Sequence, residues 1–240
     1  MFARFRQRSY DLENLDLGTY THEEYEGCLV ELRRVNRWLG DARALRRSFL
    51  PVVRRARVRE FSALDVGAGS GELLRVAALW ARGEGRRALL VGLELNERSA
   101  RSILEESAEF GEISAVRGDA LRLPFATDAF DYCICSLFTH HFRDEGVVAV
   151  ISEMARVARR GIFVIDLHRH PLAYLFFRTA ARLFLHNRLI REDGALSILR
   201  SFKPDELRRL AARAHLREVK IERRFPYRLV LSGRKQATEK

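Results

Sequence analysis

The fold class of this chain is decided by the stretch Ala63-Leu64-Asp65-Val66-Gly67-Ala68-Gly69-Ser70-Gly71-Glu72. An apolar run from Phe61 to Val66 predicts a short buried strand, and the glycines after it predict a tight turn. A helical pattern follows from Gly71 to Arg82. Small residues let the backbone approach a ligand closely, and the first turn of a helix offers free N–H groups. The stretch therefore predicts a strand, a ligand-binding turn and a helix, in that order.

Strands and helices continue to alternate beyond this turn. The predicted elements are strands over 88–95, 113–116, 130–137 and 161–167 and helices over 97–110, 143–159 and 204–215. Such alternation is typical of an α/β fold with a doubly wound, mostly parallel sheet. Two further strands, 217–224 and 227–231, are separated by only Phe225 and Pro226. So short a connection requires an antiparallel hairpin.

The N-terminal quarter of the chain has a different pattern. Apolar residues recur at helical spacing over 22–39 and again over 42–58, where Pro51 interrupts the second stretch. We therefore predict an N-terminal helical cap over residues 1–58 and a ligand-binding α/β domain over residues 59–240.

Composition narrows the class of protein. The 240 residues are 47% hydrophobic and 31% charged, which argues against a disordered chain and against a membrane protein. The net charge of +11 indicates nucleic acid or an acidic membrane surface as possible binding partners. However, 39 of the 43 basic residues are Arg and they are spread along the chain, which favours solvated faces over a nucleic-acid footprint.

The three cysteines contain no Cys-x-x-Cys pair, which indicates a reducing compartment. We expect Cys133 and Cys135 to point into the core from one face of a strand. The sequence has neither a secretory leader nor a long uncharged apolar segment, so we expect a cytoplasmic protein.

Three polar features follow successive predicted strands. The glycine spacing is G-x-G-x-G, and Glu72 stands where a dinucleotide fingerprint needs glycine. Glu94 ends the next strand and can accept hydrogen bonds from ribose hydroxyls. Asp119 follows the third strand and can accept from an exocyclic amino group such as that of adenine. A glycine turn, a ribose acceptor and an adenine acceptor in this order describe a site for S-adenosylmethionine.

The segments that carry this pattern resemble the class I S-adenosylmethionine-dependent methyltransferases, and most closely the small-molecule subgroup that includes the quinone-biosynthesis enzymes. They are LDVGAGSGE (64–72), GLELN (92–96), GDALRLPFATDAFDYCICSLFTHHF (118–142) and EMARVARRGIFVIDL (153–167). The resemblance covers about residues 61–234. It implies a seven-stranded, mostly parallel sheet with an antiparallel C-terminal strand.

The resemblance also implies which residues bind the cofactor. Asp65, Gly67, Ala68, Gly69 and Gly71 would surround the methionine part, Glu94 with Leu95 the ribose, Asp119 with Ala120 the adenine, and Ser136 with Leu137 the region near the sulfonium.

Histidines at strand ends are the candidate groups on the acceptor side. A phenol or hydroxyl acceptor must lose a proton, and an imidazole is a fitting base at neutral pH. His140 and His141 follow the predicted strand 130–137 and are the candidate catalytic residues. The tentative substrate contacts are His168, His170, Tyr174 and Phe177. The alternative is that these side chains cap helices or pack in the core. We predict no metal site, because alkyl transfer does not require one.

The aromatic segment 171–188 is open to more than one interpretation. It is predicted to be a substrate lid, a core helix packed on the sheet, or a basic amphipathic helix in peripheral contact with an acidic membrane. The oligomeric state is not fixed by the sequence.

Three functions remain open. The leading prediction is methyl transfer to oxygen or carbon of a small lipophilic acceptor, such as a phenol, a quinone precursor or a polyketide-like metabolite. The second is a nucleic-acid methyltransferase. Enzymes that methylate exocyclic amines have an Asn/Asp-Pro-Pro-Tyr/Phe element after the fourth strand. This chain has Ser136-Leu137-Phe138-Thr139 there instead, which argues against this function. The third is a non-catalytic module that binds S-adenosylmethionine.

Overall fold

A seven-stranded sheet forms the centre of the computed structural model, which describes residues 2–21, 23–24, 27–28, 31 and 40–236. The strands are β1 (Glu60–Val66), β2 (Arg87–Glu94), β3 (Ile113–Arg117), β4 (Phe130–Ser136), β5 (Ala158–Leu167), β6 (Leu216–Arg224) and β7 (Arg228–Lys235). Their order across the sheet is β3-β2-β1-β4-β5-β7-β6. The first five strands are parallel, and β7 pairs antiparallel with both β5 and β6. The predicted fold class and the terminal hairpin are confirmed.

Helices cover both faces of the sheet. They are α1 (Asp41–Arg55), α2 (Glu72–Gly83), α3 (Glu97–Glu106), α4 (Asp144–Val157), α5 (Pro171–Phe184), α6 (Arg188–Arg200) and α7 (Pro204–Arg213). Because strand side chains alternate between faces, each face has its own apolar core. One core joins α4 and α7 to the sheet and includes the fully buried Cys133 and Cys135, as predicted. The other joins α1, α2 and Ile103 of α3 to Phe61, Tyr132 and Phe163.

Pro51 does not interrupt α1, contrary to the prediction. The helix runs unbroken from Asp41 to Arg55 with Pro51 inside it. Proline has no N–H, so the carbonyl of Arg47, four residues earlier, loses its intrahelical donor. Arg224 of β6 provides a replacement, since its Nη2 donates to that carbonyl at 3.3 Å and its Nε donates to the Ser48 hydroxyl at 3.2 Å. The helix also packs directly on the sheet. The division of the chain at residue 58 stays a prediction.

The segment after β5 holds two helices where the sequence indicated one. The helix α5 ends at Phe184, and Asn187 then caps α6 by accepting a hydrogen bond from the Leu189 N–H at 2.9 Å. Two of the residues that α6 buries are charged, Asp193 and Arg200. This is why the apolar pattern did not reveal the helix.

The N-terminal segment contains a 3-10 helix (Phe2–Phe5) and a single helical turn (Asn14–Leu17). The helix predicted over 22–39 falls largely on residues outside the described part of the chain, among them 22 and 32–39. Among the described residues, no helix combines the length and the apolar character needed to cross a membrane.

Candidate active site

The turn between β1 and α2 depends on its glycines. Gly67, Gly69 and Gly71 have φ values of 71°, 59° and 79°, a region that L side chains rarely adopt. The N–H of Gly67 donates to the carbonyl of Leu93 at 2.9 Å, which ties the turn to the end of β2. The first N–H groups of α2 therefore open onto the carboxyl edge of the parallel strands, where ligands bind in open α/β sheets.

Two carboxylates lie beside this turn. Glu94, at the end of β2, accepts a hydrogen bond from the Gly69 N–H at 2.5 Å. Burial raises the pKa of Glu94, although hydrogen bonds from the backbone of Gly69 and Leu95 oppose that shift. Asp65 of β1 is 2% exposed, and burial together with the charge of Glu94 raises its pKa to about 8. A cation placed here would favour the ionised form of both groups.

Asp119 and Ala120 follow β3 at the same edge. The exposed Asp119 accepts a hydrogen bond from the Leu121 N–H at 2.8 Å, so one of its oxygens already stabilises the local turn. Ala120 is buried. The hydrogen bond from the Leu121 N–H to Asp119 is the turn-stabilising contact that an aspartate commonly makes to the backbone two residues on. It leaves the carboxylate of Asp119 at the surface of the candidate site.

The end of β4 leaves a polar atom without a partner. The hydroxyl of Ser136 is buried and has no hydrogen-bond partner among the described residues. Leu137, which follows it, has a φ of 50°. The ring of Phe138 then lies so close to Gly67 that a Cβ there would be 2.6 Å from it. An unsatisfied buried hydroxyl costs about 1–3 kcal/mol, which a polar ligand at this edge would offset.

A buried carboxylate holds the loop after β4. Asp166 of β5 is completely buried, and its Oδ1 lies 2.7 Å from Nδ1 of His140. Its Oδ2 accepts hydrogen bonds from the Thr139 hydroxyl at 2.6 Å and from the His140 backbone N–H at 3.1 Å. Burial alone would raise the pKa of Asp166, but the charge and hydrogen bonds of His140 and the Thr139 hydroxyl lower it to about 2. The carboxylate therefore stays ionised.

The two candidate catalytic histidines are adjacent. The side chain of His140 is 4% exposed, whereas His141 is much more accessible to water. Their ring centroids are 4.3 Å apart. Because Asp166 engages Nδ1 of His140, Nε2 is the ring nitrogen that remains for other chemistry.

Sequence reasoning missed a third group at this point. Glu13 is 3% exposed, and its carboxylate and the ring nitrogens of His140 and His141 all lie within 4.8 Å of one another. The Ser197 hydroxyl of α6 donates to Oε1 of Glu13 at 2.8 Å. Glu13 is about 125 residues from the histidines in the sequence, so no local motif joins them.

The tentative substrate residues lie further along β5 and α5. Nδ1 of His170 accepts a hydrogen bond from the Leu172 N–H at 3.2 Å, which caps α5. Burial and neighbouring cationic groups, His170 first among them, lower the pKa of His168 to about 4. The Tyr174 hydroxyl accepts from Nη1 of Arg4 at 3.1 Å, and the ring of Phe177 packs against Gly194. Contact of these four residues with an acceptor stays a prediction.

The raised pKa of Asp65 predicts how stability varies with pH. Between the ordinary value of 3.8 and about 8, the folded chain holds a proton on Asp65 that the unfolded chain has released. The free energy of unfolding therefore falls as pH rises through this range. We expect Asp65→Asn, which cannot ionise, to reduce the difference between urea unfolding free energies at pH 5 and pH 7.5. The exposed Asp119→Asn is the control, and an unchanged slope in Asp65→Asn would contradict the prediction.

Comparison with known proteins shows which family part of this chain resembles. Residues 63–161 match the family described as "Methyltransferase domain". A demethylmenaquinone methyltransferase from Roseiflexus sp. (strain RS-1) is 34% identical over 114 residues, which are 46% of this chain and 45% of the relative. The chain spans about half the length of the curated relatives that it matches.

Solved structures share the fold. A SAM-dependent methyltransferase from Aquifex aeolicus superposes with a TM-score of 0.59 at 14% identity, over 85% of this chain and 95% of that one. Magnesium protoporphyrin IX methyltransferase from Synechocystis PCC 6803, with bound SAH, gives a TM-score of 0.57 at 18% identity, over 82% and 84% of the two chains. The sheet order and the family match over residues 63–161 agree with the predicted resemblance to the class I S-adenosylmethionine-dependent methyltransferases.

Proposed function

We propose that this chain transfers a methyl group from S-adenosylmethionine to oxygen or carbon of a small lipophilic or aromatic acceptor. A phenol, a quinone precursor or a polyketide-like metabolite fits this class. The observation that carries the proposal is the glycine turn with Glu94 and Asp119 at the ends of successive strands of a class I sheet. The match to a relative named demethylmenaquinone methyltransferase supports a quinone-type acceptor.

The residues around the turn fit this cofactor. An ammonium group near Asp65 and Glu94 would favour their ionised forms and offset the cost of their burial. The unpartnered Ser136 hydroxyl offers a hydrogen bond at the end of β4. When bound, S-adenosylmethionine supplies an electrophilic methyl group on a sulfonium centre. The residues that we assign to binding of S-adenosylmethionine are Asp65, Gly67, Ala68, Gly69, Gly71, Glu94, Leu95, Asp119, Ala120, Ser136 and Leu137.

His140 and His141 are the groups that we propose to promote loss of the acceptor proton. Asp166 orients His140 through Nδ1 and leaves Nε2 to face a hydroxyl. An imidazole paired with an ionised carboxylate is suited to accept a proton. The burial of His140 excludes water, which strengthens such interactions. A carbon acceptor that is already activated would need less of this help.

Binding of the cofactor is the first test. Calorimetric titration of S-adenosylmethionine and S-adenosylhomocysteine into the wild type should show one site. Glu94→Gln removes a hydrogen-bonding charge, and we expect it to weaken binding by about 10- to 100-fold. Glu97→Gln, on an exposed side chain three residues later, is the matched control. A folded wild-type protein that binds neither compound would overturn the assignment.

Methyl uptake from labelled cofactor tests the acceptor side. With a phenol or hydroquinone acceptor, we expect His140→Ala to lower the rate by about 10²- to 10⁴-fold, the usual contribution of a general base. Asp166→Asn should also lower it and shift the pH profile. His186→Ala, whose side chain is 91% exposed, is the control. Label appearing on RNA, with none on small acceptors, would instead favour the nucleic-acid function.

Peripheral membrane contact is part of the proposal, because a lipophilic acceptor resides in a bilayer. Leu172, Leu175 and Phe176 are 58%, 49% and 64% exposed and lie on one face of α5. With a net charge of +11, this face suits anionic lipid. We expect co-sedimentation with phosphatidylglycerol vesicles, its loss in Phe176→Asp, and its retention in Leu79→Asp, which alters an equally exposed leucine of α2. Equal binding by both variants would refute the assignment of α5.

A further inference from the structure

The carboxylate of Glu13 and the imidazoles of His140 and His141 form a cluster with the composition of a metal site. Their potential ligand atoms lie within 4.8 Å of one another. Glu13 and His140 are 3% and 4% exposed, so two of the three are shielded from water. We propose that Glu13, His140 and His141 bind a divalent transition-metal ion of the zinc class.

The ligand types favour this class of ion. Two imidazoles and one carboxylate suit zinc and iron(II), and three protein ligands leave a position for a small molecule. Magnesium and calcium prefer all-oxygen sites, which this cluster does not provide. Among the described residues no cysteine belongs to the cluster, because Cys133 and Cys135 lie in the core of the sheet and Cys28 packs with Leu189 and Ile190 of α6.

Hydrogen bonds to Asp166 hold His140 in an orientation suited to a metal ligand. Asp166 engages Nδ1 of His140 at 2.7 Å, so Nε2 is the nitrogen that an ion would bind. A carboxylate on the distal nitrogen of a metal-bound histidine fixes its tautomer and raises its basicity. The Thr139 hydroxyl and the His140 N–H fix Asp166 in turn. This arrangement exists before any ion binds.

Glu13 is held in a comparable way. Its Oε1 accepts a hydrogen bond from Ser197, and Nη1 of Arg200 lies 3.6 Å from the same atom. Arg200 also donates to the carbonyls of His140 at 3.3 Å and of His141 at 2.6 Å. One guanidinium thus positions all three ligands.

The role of the ion rests on the proposed function, but its binding does not. A divalent ion beside an acceptor hydroxyl lowers the pKa of that hydroxyl. With the ion bound, His140 would promote loss of the acceptor proton as a ligand of that ion, whereas in the ion-free protein it would act as the base proposed above. Protons and the ion compete for the same histidine nitrogens, so binding should weaken as pH falls below the usual range of histidine pKa values.

The test is calorimetric titration of zinc chloride into chelator-treated full-length protein, without cofactor or acceptor. We expect one equivalent to bind at pH 7.5 and weaker binding at pH 5.5. Cobalt(II) should give the visible absorption of a four- or five-coordinate site. Glu13→Gln and His141→Ala should abolish binding, and Asp166→Asn should weaken it by about 10- to 100-fold. His186→Ala, at an exposed histidine, should bind as the wild type does.

Two results would overturn the proposal: no zinc binding by the folded wild type, or binding that survives Glu13→Gln and His141→Ala unchanged. Far-UV circular dichroism identifies any variant that fails to fold, in which case the other variant and Asp166→Asn decide. Failure here is distinguishable from failure of the proposed function, because titration with S-adenosylmethionine is a separate measurement at a separate set of residues.

Discussion

The conformation of the loop after β4 depends on hydrogen bonds to the buried carboxylate of Asp166. This carboxylate lies at the end of β5, has no exposure to water, and accepts hydrogen bonds from the ring and backbone of His140 and from Thr139. A buried charge is tolerated only when it is paired and fully hydrogen-bonded. The loop after β4 must therefore adopt the conformation that provides these donors. The places of both histidines follow from that requirement.

A different constraint, the conformation of the backbone, determines the turn between β1 and α2. The positive φ values of Gly67, Gly69 and Gly71 let the chain turn sharply at the centre of the sheet, between β1 and α2. Because β1 lies between β2 and β4, the turn has Glu94 on one side and Ser136 on the other. The glycine turn and the loop that carries the histidines thus meet at the end of β4. Ser136 ends β4, and the two histidines follow within five residues.

Local patterns made the sheet and the glycine turn predictable from sequence. The strands β1 to β5 and β7 each contain an apolar run, and Gly67, Gly69 and Gly71 each have a positive φ. The contribution of Glu13 was not predictable, because it depends on contacts with α6 and with a loop far along the chain. The helix α6 itself was missed since it buries Asp193 and Arg200, residues that a hydrophobic pattern treats as exposed. The predicted interruption at Pro51 was wrong because the group that donates to the Arg47 carbonyl, Arg224, comes from the far end of the sequence.

The contacts of the N-terminal segment have a consequence for the order in which the chain assembles. Asn14 and Leu15 donate backbone hydrogen bonds to Asp193, and Arg8 donates to the carbonyl of Arg200, 192 residues away. Each of these bonds joins positions at least 178 residues apart, although the entropy cost of closing such a loop rises only slowly with its length. During synthesis, Asn14 and Leu15 reach Asp193 only after α6 has left the ribosome, whereas Arg8 can contact Asp144 and the Phe142 carbonyl earlier. The glycine turn, whose partners are close in sequence, is complete long before. The glycine turn can therefore form before the segment that holds Glu13 beside the histidines is fixed in place.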